Sequence, residues 1–275
     1  MNQIKTFFLM IILTGILMFL GDYFGSSTGM AIGLGIGIIS NFISYFFSDK
    51  IVLASYGAKD VSEDHRLYRI VKNLTAKSGM PMPRVCIIPE SSPNAFATGR
   101  NPNHAAVCAT SGILNLLDDN ELEGVLAHEL SHIKNRDILV STIAAGICGI
   151  IAFICRIGVI FGVGGDRKNS GCLTLVVLLF SSVFATLIQL WISRTREYMA
   201  DESGAKLCGK PWALADALEK LSQGVSHNPM EQATPETRNM FIINPIAPMV
   251  ANLFSTHPPI NDRIKKLKNM NMNIY

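Results

Sequence analysis

His128-Glu129-Leu130-Ser131-His132 is the stretch of this sequence whose residue types and spacing amount to a chemistry. Two histidines four apart lie one turn apart on the same face of a helix, where both imidazoles can reach a single Zn²⁺. Glu129, beside the first of them, can serve as the base that takes a proton from water. Hydrolysis by activated water needs no nucleophilic Ser or Cys, so Ser131 reads as a spacer. A catalytic zinc has three protein ligands and keeps one position open. Glu197 and Asp201, four apart in Ser193-Arg194-Thr195-Arg196-Glu197-Tyr198-Met199-Ala200-Asp201, offer the missing carboxylate. One of the two can ligate while the other holds a ligating His by its distal N–H; spacing alone leaves the roles open.

The elements that must position these groups belong to a mixed helix-and-strand domain. Asp118 and Asp119 precede an amphipathic run from Asn120 to Asn135, in which Leu122, Val125, Leu126, Glu129 and Ile133 recur at helical spacing. An aspartate at that point caps a helix. Helical spacing also marks Asp64 to Lys77, and Ser193 to Leu207 and Pro211 to Gln223 read as further helices. Arg84 to Pro89 predicts a buried strand. Asn94 to Gly99 and His104 to Thr110 predict two more, joined by a hairpin through Asn101-Pro102-Asn103. Gly224 to Asn239 is polar and irregular, the pattern of a loop.

The rest of the chain is short of charge. Of 275 residues, 49% are hydrophobic and only 16% charged, with a mean hydropathy of +0.31. A soluble domain is nearer 25% charged, so the apolar excess must lie out of water. It is gathered into four runs: Thr6–Gly21, Met30–Phe47, Leu139–Val163 (broken by Arg156) and Cys172–Ile192. A bilayer-crossing helix takes about 20 apolar residues, which predicts four membrane segments. Gly29, Gly33 and Gly37 recur every four residues and lay a flat stripe suited to packing against another membrane helix. Lys and Arg flank the runs on the side of the polar blocks; the loop from Asp22 to Gly29 has neither, and the loop between the last two runs has only Arg167 and Lys168, which count the other way. The positive-inside rule then puts both termini and the polar bulk in the cytoplasm. The net charge of +3 gives no argument for nucleic acid. The six cysteines form no C-x-x-C pair and read as small buried hydrophobes.

Four separated motifs occur in order along the chain: Asn94-Ala95-Phe96-Ala97-Thr98-Gly99-Arg100, the H-E-L-S-H core, S-R-T-R-E-Y-M-A-D, and Ser255-Thr256-His257-Pro258-Pro259-Ile260 with Arg263-Ile264. Two apolar runs precede the second motif and two separate it from the third. This order resembles the HtpX-type bacterial membrane zinc metalloproteases, relatives of the prenyl-protein (CAAX) endoproteases, over nearly the full length. The resemblance implies an α+β membrane protein with a zincin-like, gluzincin-type catalytic domain and about four transmembrane helices. It implies one Zn²⁺ per subunit held by His128, His132 and Glu197, with Glu129 as general base and acid. Asp201 would hold a ligating His, and His257 and Arg263 would stabilise the transition state and brace the site. The strand at Asn94, Ala95, Phe96 and Ala97 would pair with extended substrate.

The expected domain organisation is an N-terminal helix pair over 1–47, a cytoplasmic metalloprotease domain from 48–138 and 193–275, and an inserted membrane hairpin over 139–192. The expected activity is hydrolysis of misfolded or damaged membrane proteins, or other unfolded polypeptides, at the bacterial cytoplasmic membrane in a stress response. A specific processing peptidase of membrane-associated substrates is the alternative within enzymes. A non-catalytic membrane scaffold with structural zinc is the alternative outside them, and the lack of a fourth protein ligand argues against it.

Overall fold

The computed structural model of the chain describes residues 2–137, 139, 194–227 and 258–270. Among the described residues the elements are α1 (Asn2–Ser55), β1 (Lys59–Asp60), α2 (Arg66–Ser78), β2 (Arg84–Ile88), β3 (Ala95–Asn101), β4 (His104–Thr110), α3 (Ser111–Leu116), α4 (Asp119–Lys134), α5 (Arg194–Cys208), α6 (Pro211–His227) and α7 (Ile260–Lys268). The third and fourth apolar runs, apart from Leu139, lie outside the described residues, as does His257.

Helical backbone runs through the whole of α1, yet it is not one rod. Ser26 takes a left-handed φ of 51°, and a Cβ on Gly21 would run into the carbonyl oxygen of Gly29. In a straight helix those residues would be about 12 Å apart, so the chain reverses between them. Gly33 meets the Leu17 carbonyl and Gly37 meets Thr14, which makes the two limbs antiparallel. The predicted glycine stripe is therefore the seam along which the second limb lies on the first. Asn41 closes its far end, donating from Nδ2 to the Met10 carbonyl at 3.0 Å and to Thr14 Oγ1 at 2.8 Å. Within the second limb, Ser26–Phe47 is 22 residues long with a mean hydropathy of 1.7, long and apolar enough to cross a membrane. The first limb contributes a shorter apolar stretch, Met10–Phe19.

The polar domain begins inside α1 rather than after it. The helix continues eight residues beyond Phe47 to Ser55, and Val52, Leu53 and Tyr56 pack on Cys86, Ile88, Phe96, Ala106 and Cys108 of the sheet. Ser48-Asp49-Lys50 suggests the end of a helix when read alone; burial of the three apolar residues that follow carries it on. At the same level the Arg100 guanidinium lies over the Phe46 ring, 5.1 Å from its centroid.

The sheet has the order β1-β2-β4-β3. β2 and β4 run parallel, and β3 and β4 form the predicted antiparallel hairpin. Side chains alternate between faces. Val85, Ala95, Ala97, Ala105, Val107 and Ala109 meet α2, α4 and α6 in the main core, while Cys86, Phe96 and Cys108 meet the end of α1. Burial on both faces explains why these strands read as continuous apolar runs. Cys86, Cys108 and Cys208 are free and buried.

Two boundaries move for local reasons. α2 starts at Arg66 because His65 caps it, its Nδ1 accepting from the Leu67 N–H at 3.1 Å. α6 runs on through Gly224 to His227, so the irregular segment expected from Gly224 begins as helix. α4 is entered through a capping box: Asp118 accepts from the N–H groups of Asn120 and Glu121, and Glu121 accepts from the N–H of Asp118. Asp118→Ala removes both side-chain bonds at the head of this helix. It is expected to cost about 1 kcal/mol, read as a lower denaturant midpoint at unchanged slope.

Candidate metal centre

α4 and α5 cross tightly enough to bring side chains from both into one point. Gly204 is what allows the approach: a Cβ there would stand 2.8 Å from the His128 nitrogen and 2.9 Å from its Cα. Glu197, Asp201 and Gly204 share one face of α5 at i, i+4 and i+7 spacing, and that face lies on His128. Gly204 was not among the residues expected to matter, although the spacing after Asp201 is its signal.

At the crossing, His128 Nε2 and His132 Nε2 are 3.2 Å apart. Glu197 Oε2 stands 3.8 Å from His128 Nε2, and Oε1 stands 3.5 Å from His132 Nε2. Two atoms bound tetrahedrally at about 2.05 Å from one ion are about 3.3 Å apart, and the separation of the two imidazole nitrogens is close to that. The donor set of two imidazole nitrogens and a carboxylate oxygen, all within 4.8 Å of one another, suits zinc.

Charge points the same way. Glu129, Glu197, Asp201 and Arg263 are all buried, between 1% and 4% exposed. Three carboxylates against one guanidinium leave a formal excess of two negative charges, which a divalent ion cancels. Without that ion, burial and then the neighbouring Glu197 carboxylate push the Glu129 carboxyl up to about 8. Burial lowers His128, against the pull of Asp201.

Arg263, from α7, is the charged brace. It grips Asp201 with two bonds, Nε to Oδ2 at 2.8 Å and Nη2 to Oδ1 at 2.7 Å, and its Nη1 lies 3.6 Å from Glu197 Oε2. Burial alone would raise the Asp201 carboxyl, but Arg263 and His128 hold it at about 2. The ionised Asp201 stands 3.0 Å from His128 Nδ1, so His128 turns its other nitrogen, Nε2, toward His132 and Glu197. Ser131 bonds back to the Ala127 carbonyl at 2.8 Å and takes no part.

Glu129 faces the sheet. Thr110 N–H donates to the Asn94 carbonyl at 2.9 Å, and this fixes the parity of the β3–β4 ladder. Phe96 and Thr98, of the same parity, bond to β4, while Ala95 and Ala97 turn their backbone groups to the outer edge. There the Ala97 N–H meets the Glu129 carboxylate. Of the four expected strand residues, Asn94 and Phe96 keep their side chains inside: Asn94 Oδ1 accepts from the Ala95 N–H, and Phe96 packs on Tyr56.

Residues 61–271 match Peptidase family M48. The chain belongs to peptidase family M48. Curated proteins named Protease HtpX homolog match this M48 chain end to end. That of Syntrophobacter fumaroxidans is 48% identical over 280 residues, 98% of this chain and 99% of that protein. That of Thermococcus sibiricus is 48% identical over 282 residues, 98% and 97%, and that of Campylobacter curvus is 46% identical over 283, 100% and 99%. Among solved structures, the crystal structure of S. mikatae Ste24p shares the fold, with a TM-score of 0.52 and 17% identity, covering 97% of this chain and 65% of that one. The M48 chain is a membrane-bound metalloprotease.

Proposed function

We propose that this metalloprotease is a zinc endopeptidase of the bacterial cytoplasmic membrane that cuts misfolded or damaged membrane proteins under stress. The observation that carries the reading is the convergence of His128, His132 and Glu197 on one point, with Glu129 buried beside it against the outer edge of β3. His128, His132 and Glu197 are the zinc ligands. A zinc ion held by these residues would supply Lewis acidity toward the scissile carbonyl and toward water near neutral pH.

Around it the chain's own groups do the rest. The outer edge of β3 offers the Ala95 and Ala97 carbonyls to the main chain of an extended substrate whatever its side chains, as a broad quality-control specificity requires. Glu129 takes the proton of the attacking water and delivers it to the leaving amine. Asp201 and Arg263 keep the imidazole of His128 oriented throughout. His257, two residues before Pro259, which caps α7, stabilises the developing oxyanion.

The membrane part of the reading has four segments: the helical hairpin of 1–47 and a second pair over 139–192. The latter is inserted between the two halves of a zincin-like, gluzincin-type domain, 48–138 and 193–275, on the cytoplasmic side. The glycine seam of the first pair and the Lys and Arg that flank the runs support it.

Stripping divalent metal from the detergent-solubilised full-length protein is expected to abolish casein hydrolysis, and stoichiometric zinc to restore it. Hydrolysis that persists after metal analysis shows none left rules the reading out.

A further inference from the structure

An ion pair joins the point where the chain leaves the helix that carries both histidines to the point where it re-enters the domain. Asp137 follows the end of α4, and Arg196 lies in the first turn of α5, 59 positions later. An Arg196 Nη1 donates to Asp137 Oδ1. The other oxygen of the same carboxylate, Oδ2, stands 3.4 Å from His132 Nδ1.

The backbone is bent to put it there. The Asp137 N–H donates to the His132 carbonyl at 2.9 Å and the Arg136 N–H to that of Ile133 at 3.0 Å, the closure that ends a helix through a left-handed residue. That residue is usually glycine; here it is Arg136, at φ 58°. A strained conformation held by an ordinary side chain points to a position that matters. The turn folds Asp137 back over the last histidine of the motif.

The result repeats the arrangement on the inner side of the site. His128 Nδ1 meets Asp201, which Arg263 grips; His132 Nδ1 meets Asp137, which Arg196 grips. The inner set is sealed. In the outer set the side chains of His132, Asp137 and Arg196 are 14%, 12% and 25% exposed. A neutral imidazole that offers Nε2 to a metal carries its proton on Nδ1, and Asp137 is the carboxylate facing that proton.

We infer that Asp137 and Arg196 are a positioning pair for His132: the aspartate fixes the ring, and the arginine, from the far side of the intervening chain, fixes the aspartate. The inference rests on His132 being a metal ligand. It adds a consequence that the ligand set alone lacks. Metal affinity then depends on the ion pair that joins the end of α4 to the first turn of α5.

The test is the zinc dissociation constant of the full-length detergent-solubilised protein, measured by competition with a chelating dye. Asp137→Asn is expected to weaken zinc roughly 10- to 100-fold and to shift the visible absorption of the Co²⁺-loaded protein. Arg196→Gln, which removes no group near the ion, is expected to weaken zinc in the same direction, with Arg196→Lys recovering part of the loss. Unfolding of the metal-free variants reports on folding separately, and Arg196→Gln, at the more exposed side chain, covers the case in which Asp137→Asn does not fold. Zinc affinity within twofold of the parent in both variants overturns the inference. A parent that holds no stoichiometric zinc overturns the ligand assignment instead, and this inference with it.

Discussion

Glu129→Gln lowers casein hydrolysis roughly 10²- to 10⁴-fold, the range of a lost general base, while the protein keeps its metal. Glutamine has almost the same shape and can still accept the Ala97 N–H through its carbonyl oxygen, so the strand and helix stay in register. What it cannot do is take a proton. Stability supplies a second readout, and it moves the opposite way. Glu129 is a 3% exposed carboxyl whose charge burial opposes, beside two other buried carboxylates. Replacing it with a neutral amide relieves that conflict in the metal-free protein, whose melting temperature is expected to rise. A merely structural glutamate would give the reverse pair, with activity kept and stability lost. Hydrolysis within tenfold of the parent, with metal bound, removes Glu129 from the chemistry.

The largest stability loss is expected at Arg263. Its side chain is 1% exposed and holds both oxygens of Asp201, with Glu197 at 3.6 Å. Arg263→Met fills much of the volume and removes the one buried Arg or Lys, among the described residues, that faces three buried carboxylates. Breaking a buried pair by deleting one partner costs about 3–5 kcal/mol, because Asp201 is left charged and dry. Denaturant unfolding of the metal-free protein reads it directly. Arg263→Lys keeps the charge without the two-pronged grip and is expected to fall between parent and Arg263→Met. A loss below about 1 kcal/mol would mean that Asp201 finds another partner or takes up a proton, and that Arg263 is not the brace.

The candidate metal centre was legible in the sequence to the extent that helical periodicity could carry it. His128 and His132, or Glu197 and Asp201, fall on common faces through local spacing alone, and Asp118 announced the helix that bears the first pair. The strands were legible because burial on both faces leaves an unbroken apolar signature, and the glycine stripe because four-residue spacing has one reading in a membrane helix. The features that were missed are set by tertiary contact. Ser48-Asp49-Lys50 carries no sign that α1 continues, since the reason lies in Cys86, Phe96 and Cys108. Gly204 matters only because His128 lies against it. Asp137 and Arg196 have no local pattern at all; they meet because α4 and α5 cross. Arg263 was found through its motif, but its grip on Asp201 depends on where α7 docks.

The apolar second limb of α1 continues unbroken past Phe47 and ends against the sheet. From Phe47 to Val52 is about 8 Å at 1.5 Å per residue, with no flexible tether between. In the proposed membrane arrangement the candidate site is thus mounted at fixed height and samples a thin layer over the lipid rather than the surrounding volume. For a chain already anchored in the same bilayer the search is two-dimensional and its effective concentration high; for one dissolved in bulk it is neither. Under that proposal discrimination between them comes from location, and the proposed peptide-binding edge can stay indifferent to sequence.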